Sequence, residues 1–357
     1  MGLGVVQSFS QARMKTRCLA FIVASAALLQ TSRAVAEDLY ILTREIPIGG
    51  EGSWDYLSVD PVGRRLYVAH STKVVAVNID QEEVLSEAIT GTPGVHGFAP
   101  APDLERGFSS NGRDGAVGVF NLKTFKSIKK IPVGENPDAI IYEPGHREVY
   151  AFNGRGNSVS IIDGATASVV ATTKLPGKPE FAAADPAAGR VYCNLEDKSE
   201  VAALDTKTHT LVNTWPIAPG EEASGMAIDT DHHRLFVGCH NEKMLMMDAT
   251  TGKILDSVPI GKGVDACAFD PAFGLAFSSC GDGTTTIARE TGDKLTVVQT
   301  LTTQRGARTM ALDPKTHRIY LATVQYEAQS DDQTGRPRMI PNTLKVLVYS
   351  MATAPSP

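Results

Sequence analysis

Apolar positions fall in short runs of roughly five to seven residues, rich in β-branched and aromatic side chains, and turn-forming residues close each run before a helical stripe can develop. One stretch shows the unit. Phe181 to Asp185, Arg190 to Asn194, Glu200 to Asp205 and Thr210 to Pro216 read as four successive strands. The sequence Asp-Pro-x-x-Gly-Arg separates the first two, and Asp-x-x-Thr-Gly-Lys, as in Asp248 to Lys253, separates the last two. Both are turn chemistry: Asp accepts nearby backbone amides, Pro presets φ, and Gly tolerates the left-handed region. The pattern predicts an all-β chain with helix content close to nil.

A turn proline followed six residues later by an aromatic residue marks each copy of this unit. The pairs are Pro61 and Tyr67, Pro102 and Phe108, Pro144 and Tyr150, Pro186 and Tyr192, Thr230 and Phe236, Pro271 and Phe277, and Pro314 and Tyr320, so only the fifth copy lacks the proline. Successive anchors lie 41, 42, 42, 44, 41 and 43 residues apart, a period in the range of propeller blades and too long for leucine-rich repeats. A four-stranded sheet cannot bury both faces alone, so neighbouring sheets must supply the other walls, and ring closure removes the open ends of the stack. The prediction is a seven-bladed β-propeller of four-stranded antiparallel blades. Its last copy supplies only three strands, around Met310 to Leu312, Ile319 to Thr323 and Leu344 to Tyr349. The missing outer strand ends elsewhere in Ile131-Pro132-Val133-Gly134 and Val258-Pro259-Ile260-Gly261, and the same pattern occurs near the other terminus as Ile46-Pro47-Ile48-Gly49. The N-terminal strand should therefore complete the last blade.

Arg64 to Ala69 (RRLYVA), Val149 to Asn153 (VYAFN), Val191 to Asn194 (VYCN) and the recurring I-P-V-G strand end resemble the YncE-like family of exported bacterial propellers with YVTN repeats. The resemblance spans essentially residues 39 to 350 and implies a seven-bladed fold and export. It carries no activity with it, because the repeat consists of packing and turn residues. The family is similar in fold to lactonase-type and lyase-type propellers without a shared catalytic motif, and fold analogy alone assigns no chemistry.

The N-terminus carries Arg13, Lys15 and Arg17, an apolar run from Cys18 to Leu29, and then Ala34-Val35-Ala36. This is the arrangement of a cleaved secretory signal peptide over residues 1–36, followed by a single domain over 37–357 and a secreted or periplasmic location. Met14 is an equally good signal start. No stretch approaches the length of a membrane-spanning helix. Removing Arg13, Lys15, Arg17 and Arg33 takes the formal charge from -6 to -10. That acidity disfavours nucleic acid as a partner. Four cysteines remain, Cys193, Cys239, Cys267 and Cys280, without zinc-site spacing. Cys239 and Cys280 hold equivalent places on adjacent copies, where a bridge is conceivable and free thiols are the expected state.

The position six residues before each anchor should lie at the mouth of the central channel, and it reads Asp55, His96, Asp138, Glu180, Ser224, Asp265 and Arg308. Two residues later the register reads Leu57, Phe98, Ile140, Ala182, Met226, Cys267 and Met310, so the polarity belongs to one position and not to the strand. Two readings stand: the polar ring braces neighbouring loops, or it holds a ligand, with Asp55, His96, Asp138, Glu180 and Asp265 able to hold a divalent metal. His70, Asn111, Asn153, Cys239 and Cys280, with His240 alongside, should rim the same face as largely solvated loop residues. Trp54 is either an aromatic platform or a packed rim residue. Blade seven breaks the repeat with about 19 residues between Val324 and Asn342, placing Gln325, Tyr326, Asp331, Asp332, Arg336 and Arg338 over the mouth as ligand contacts or as a tether. His146, His232, His233 and His317 fall in turns on the opposite face.

Two functions follow. The first is an exported binding or scaffold protein, expected to be a monomer, whose funnel face binds a protein, peptide, glycan or small ligand. The alternative is a metal-assisted hydrolase or lyase of lactonase-like type, with calcium, magnesium or zinc in the ring, His96 or His70 as base and Arg308 steadying an oxyanion. The sequence contains no G-x-S-x-G elbow, P-loop, H-E-x-x-H or haem-attachment motif.

Overall fold

The computed structural model describes residues 1–7, 38–327 and 338–352. The apolar run and cleavage site of the expected leader, and Asp331, Asp332 and Arg336 of the insertion, lie outside the described residues. The described residues hold twenty-eight strands and three short 3-10 turns, with no α-helix. They form seven four-stranded sheets, six of them in simple chain order. Each inner strand packs against the inner strands of the blades before and after it, the first against the last included, so the ring is closed.

The seventh sheet runs Tyr40–Pro47, Lys345–Met351, Arg318–Thr323, Thr309–Asp313, so the N-terminal strand supplies its outer edge. The pairing is antiparallel, with Ile46 opposite Val346 and Tyr40 opposite Met351. Blade six reinforces this closure sideways. The Tyr40 amide donates to Gln299 Oε1 at 2.8 Å, Gln299 Nε2 donates back to the Tyr40 carbonyl at 2.9 Å, and the Tyr40 ring meets Phe277 edge-on.

The aromatic anchors explain the stacking. Tyr67, Phe108, Tyr150, Tyr192, Phe236, Phe277 and Tyr320 are all buried between sheets. Each contributes roughly 1.5–3 kcal/mol of apolar burial, which no isolated blade could collect. On the face with the turns between first and second strands, an acid precedes the turn-proline position and caps the turn in six blades, the second having Ala101 there. Asp60 Oδ1 accepts the Val62 and Gly63 amides, and Glu143 accepts those of Gly145 and His146. The residue three after the turn-proline position adopts the left-handed conformation, as at Arg64, His233 and His317. From there it reaches the acid of the preceding blade: Arg64 pairs with Asp313 at 2.9 Å, His233 with Asp185 and His317 with Asp270, each at 2.8 Å. His233 and His317 are thus turn residues, as expected, and also clamps between blades. His146 and His232 stay within their own turns, on Glu143 and Asp229.

One expectation fails. His70, Asn111, Asn153, Cys239 and Cys280 are buried, not solvated. Five of the inner strands begin opposite these ends of the second strands, for example Trp54 opposite His70 and Val264 opposite Cys280, so the ladder covers them. Cys239 and Cys280 are free thiols.

Candidate functional site

Asp55, His96, Asp138, Glu180, Ser224 and Asp265 are each the second residue of an inner strand, and Arg308 directly precedes the seventh. In the six blades with a strand residue at this position the pairing register shifts there, as between Trp54 and Leu57 or between Val264 and Ala266. A bulge releases one residue from the ladder and re-aims its side chain, which is what turns these groups toward the channel.

Asp55, His96, Asp138, Glu180, Asp265 and Arg308 converge on one chamber of about 620 Å3, floored by Tyr56. Ser224 does not line it. Ser224 is buried behind Asp265, to which it donates a hydrogen bond at 3.3 Å. His96 Nδ1 lies 2.7 Å from Asp55 and 3.5 Å from Asp138. Burial works against a proton on His96, but the Asp55 bond and the Asp138 charge raise it to about 8. His96 therefore holds a proton near neutral pH and is not a free base. Burial pushes Asp138 up to about 6 against the pull of His96, and burial together with the Asp138 charge pushes Glu180 up to about 7. Asp55 is raised as well, chiefly by burial. On the far side, Arg308 Nε donates to Asp265 at 2.6 Å.

Two groups in this site escaped the sequence reading. Lys178, two residues before Glu180, pairs with Glu180 at 3.0 Å and with Glu196. Glu196 stands 3.9 Å from His240, which puts His240 on the outer rim and not in the chamber. Tyr56 donates from its hydroxyl to Glu180 Oε1 at 3.3 Å, and its ring meets Phe181 edge-on with centroids 5.0 Å apart. Tyr56 belongs to blade one and Phe181 to blade four, so the pair spans the channel. Burial, then the charges of Glu180 and Asp138, hold the Tyr56 hydroxyl far above its ordinary value, and it stays a donor. A signal for this partition existed. The register five before each anchor reads Tyr56, Gly97, Ala139, Phe181, Gly225, Ala266 and Thr309, small in five copies and aromatic in two.

Below the partition lies a second, apolar cavity of about 700 Å3 lined by blades one, two and three and by Phe181 of blade four, through groups such as Val59, Phe98 and Ile141. It is the larger space, yet it gathers no ionisable chemistry comparable to the chamber above. Beside the chamber, Trp54, Arg305, Arg308, Tyr326 and Met339 line a cleft of about 520 Å3. Trp54 is buried and its Nε1 donates to Thr309 at 3.2 Å, so it is a packed rim residue with one wall on the cleft. Tyr326 and Met339 pair across the base of the blade-seven insertion. His70 lies away from all three spaces, beneath Gly50, where a Cβ would come within 2.7 Å of its ring. Burial, then the Lys73 charge, lowers its pKa.

No helix among the described residues is long and apolar enough to cross a membrane. No protein-family model and no curated protein sequence matches the chain. Among solved structures, the chain is similar to one in Kuenenia stuttgartiensis hydrazine synthase, with a TM-score of 0.69 and 16% identity over 86% of this chain and 96% of that one. It is likewise similar to a chain in the crystal structure of the mitotic checkpoint complex, with a TM-score of 0.73 and 14% identity over 95% of this chain and all of that one. At such identities the likeness is one of fold: this chain is a seven-bladed β-propeller.

Proposed function

We propose that the chain is an exported binding protein whose funnel chamber takes up a small ligand by a cationic group, an ammonium or a guanidinium, lodged among Asp55, Asp138, Glu180 and Asp265. The observation that carries this reading is a charge imbalance in a recessed pocket. Four carboxyls line the chamber against two lining cations, His96 and Arg308, and Lys178 beside it is shared between Glu180 and Glu196, so negative charge stays in excess, while burial with mutual repulsion holds Asp138 and Glu180 near 6 and 7. A cation placed among them relieves both penalties. Closure of the channel by Tyr56 and Phe181 favours a small ligand over a protein, peptide or glycan. The leader-like N-terminus and the resemblance to YncE-like propellers support export.

Calorimetric titration of the mature protein with hexylamine and 1,5-diaminopentane near neutral pH tests this. Saturable binding is expected, weakened about tenfold or more in Asp138→Asn/Glu180→Gln, since a charge-assisted contact contributes about 1.5–3 kcal/mol. Flat titrations with every amine would sink the reading.

A second reading has its own observation. Donor atoms of Asp55, His96 and Asp138 lie within 4.8 Å of one another, a spacing that suits a divalent cation. Calcium, magnesium or zinc held there would polarise a carbonyl for hydrolysis or elimination, with His96 as ligand and not as base. Thermal shifts with the three chloride salts separate the readings. Stabilisation by a metal that His96→Gln abolishes favours the metal, and a response to amines alone favours the first reading.

A further inference from the structure

We infer that the ligand of the chamber is a zwitterion of the amino-acid class, its ammonium among the carboxyls and its carboxylate in the cleft beside blade seven. The inference rests on the chamber reading above and names what that site selects.

The two spaces share one wall, Arg308, which lines both. Across that wall the sign of the charge reverses. The chamber presents Asp55, Asp138, Glu180 and Asp265, whereas the cleft presents Arg305 and Arg308 and, among the described residues, no carboxylate. Arg308 uses Nε on Asp265, and its terminal nitrogens bond no side chain among the described residues. Arg305 is exposed and makes no ion pair among the described residues. Both guanidiniums are seated on aromatic rings, Arg308 at 5.5 Å from the Trp54 centroid and Arg305 at 5.9 Å from that of Tyr326. Stacking of this kind fixes the plane of a guanidinium and leaves its edge N–H groups free to fork onto a carboxylate.

The cleft is also a feature that only blade seven can make. Tyr326 and Met339 come from the two ends of its insertion. Tyr326 reaches its place because residue 306 is glycine, at φ +83°, where a Cβ would stand 2.3 Å from the Tyr326 hydroxyl. Trp54, Tyr326 and Met339 offer an apolar surface for the carbon chain that joins the two charged ends. The anionic end is better a carboxylate than a phosphate or phosphonate, because Asp265 and Asp55 behind Arg308 repel a second negative charge.

The test titrates the mature protein with 4-aminobutanoate, 6-aminohexanoate and 8-aminooctanoate, alongside hexylamine, hexanoate and 4-aminobutylphosphonate. One amino acid of the series is expected to bind at least tenfold more tightly than hexylamine. Arg305→Gln, an exposed position whose exchange leaves the fold intact, should remove that advantage and leave hexylamine binding unchanged. If hexylamine binds as tightly as every amino acid, the zwitterion is wrong and the chamber reading stands. If neither amines nor amino acids bind, the chamber reading falls and takes this inference with it. Tighter binding of the phosphonate than of its carboxylate counterparts overturns the assignment of the anionic end.

Discussion

At the scale of single residues, the chamber stores its unusual character in protons. His96 is raised from 6.5 to about 8, Asp138 from 3.8 to about 6 and Glu180 from 4.5 to about 7. Every one of these shifts is upward, so the folded state binds more protons than the unfolded chain between about pH 4 and about pH 8, and stability falls as pH rises through that window. The His96 contribution is complete below its unfolded value of 6.5 and is lost as pH passes about 8. The two carboxyls lose theirs earlier, through about 6 and about 7. Thermal unfolding followed from about pH 5 to about pH 8 should show a falling Tm, and Asp138→Asn/Glu180→Gln should flatten the lower part of that fall. Equal slopes in the two proteins would mean that these carboxyls are not held up by burial. The polar register itself was legible, because one position per repeat stayed polar while the position two residues on stayed apolar. Tyr56 and Lys178 were not, because each acts on Glu180, and Tyr56 does so across 124 residues of sequence.

At the scale of the strand, the bulge at the start of six inner strands and the small residues just after it work together. The bulge aims the polar side chain into the channel, and glycine or alanine lets the strands converge. Gly225 shows how tight this is. A Cβ there would stand 2.6 Å from the backbone carbonyl carbon of Ala266 and 2.7 Å from the backbone nitrogen of Cys267, atoms that cannot swing aside. At Gly97 the nearest atom is a methyl of Ile140 at 3.1 Å, which can give. Gly225→Ala should cost about 3 kcal/mol in urea unfolding and Gly97→Ala clearly less. Equal stability of the two variants would contradict this account of strand convergence. The strands and their order could be read from the repeat, but the bulges could not, since a proline stands at only two of the six, Pro137 and Pro179, and no shared residue marks the rest.

At the scale of the whole molecule, the ring depends on one borrowed strand. Tyr40 and Ile46 are buried, and Tyr40 ties blade seven to blade six through Gln299 and Phe277. Without residues 38–48 the strand Lys345–Met351 becomes an open edge with unpaired amides and carbonyls, a template for intermolecular pairing. A protein lacking them should elute as aggregates in size-exclusion chromatography and lose its single cooperative thermal transition. A truncated protein that stays monomeric with an unchanged Tm would show that closure lies elsewhere. The clamps on the opposite face, Arg64 on Asp313 across the closing interface among them, add charge pairing to apolar stacking.

The sequence by itself determined the repeat, the number of blades, the exchange of a strand between the termini and the polar position facing the channel. All of these follow from periodic patterns in which each residue's role depends on near neighbours. Tertiary structure decided the rest: Ser224 and His70 leave the site, Tyr56 and Phe181 close the channel, and Arg308 divides a carboxylate chamber from an arginine cleft. Those outcomes depend on contacts between different blades around a ring, and on the burial that shifts a charge's preference, neither of which a local pattern encodes.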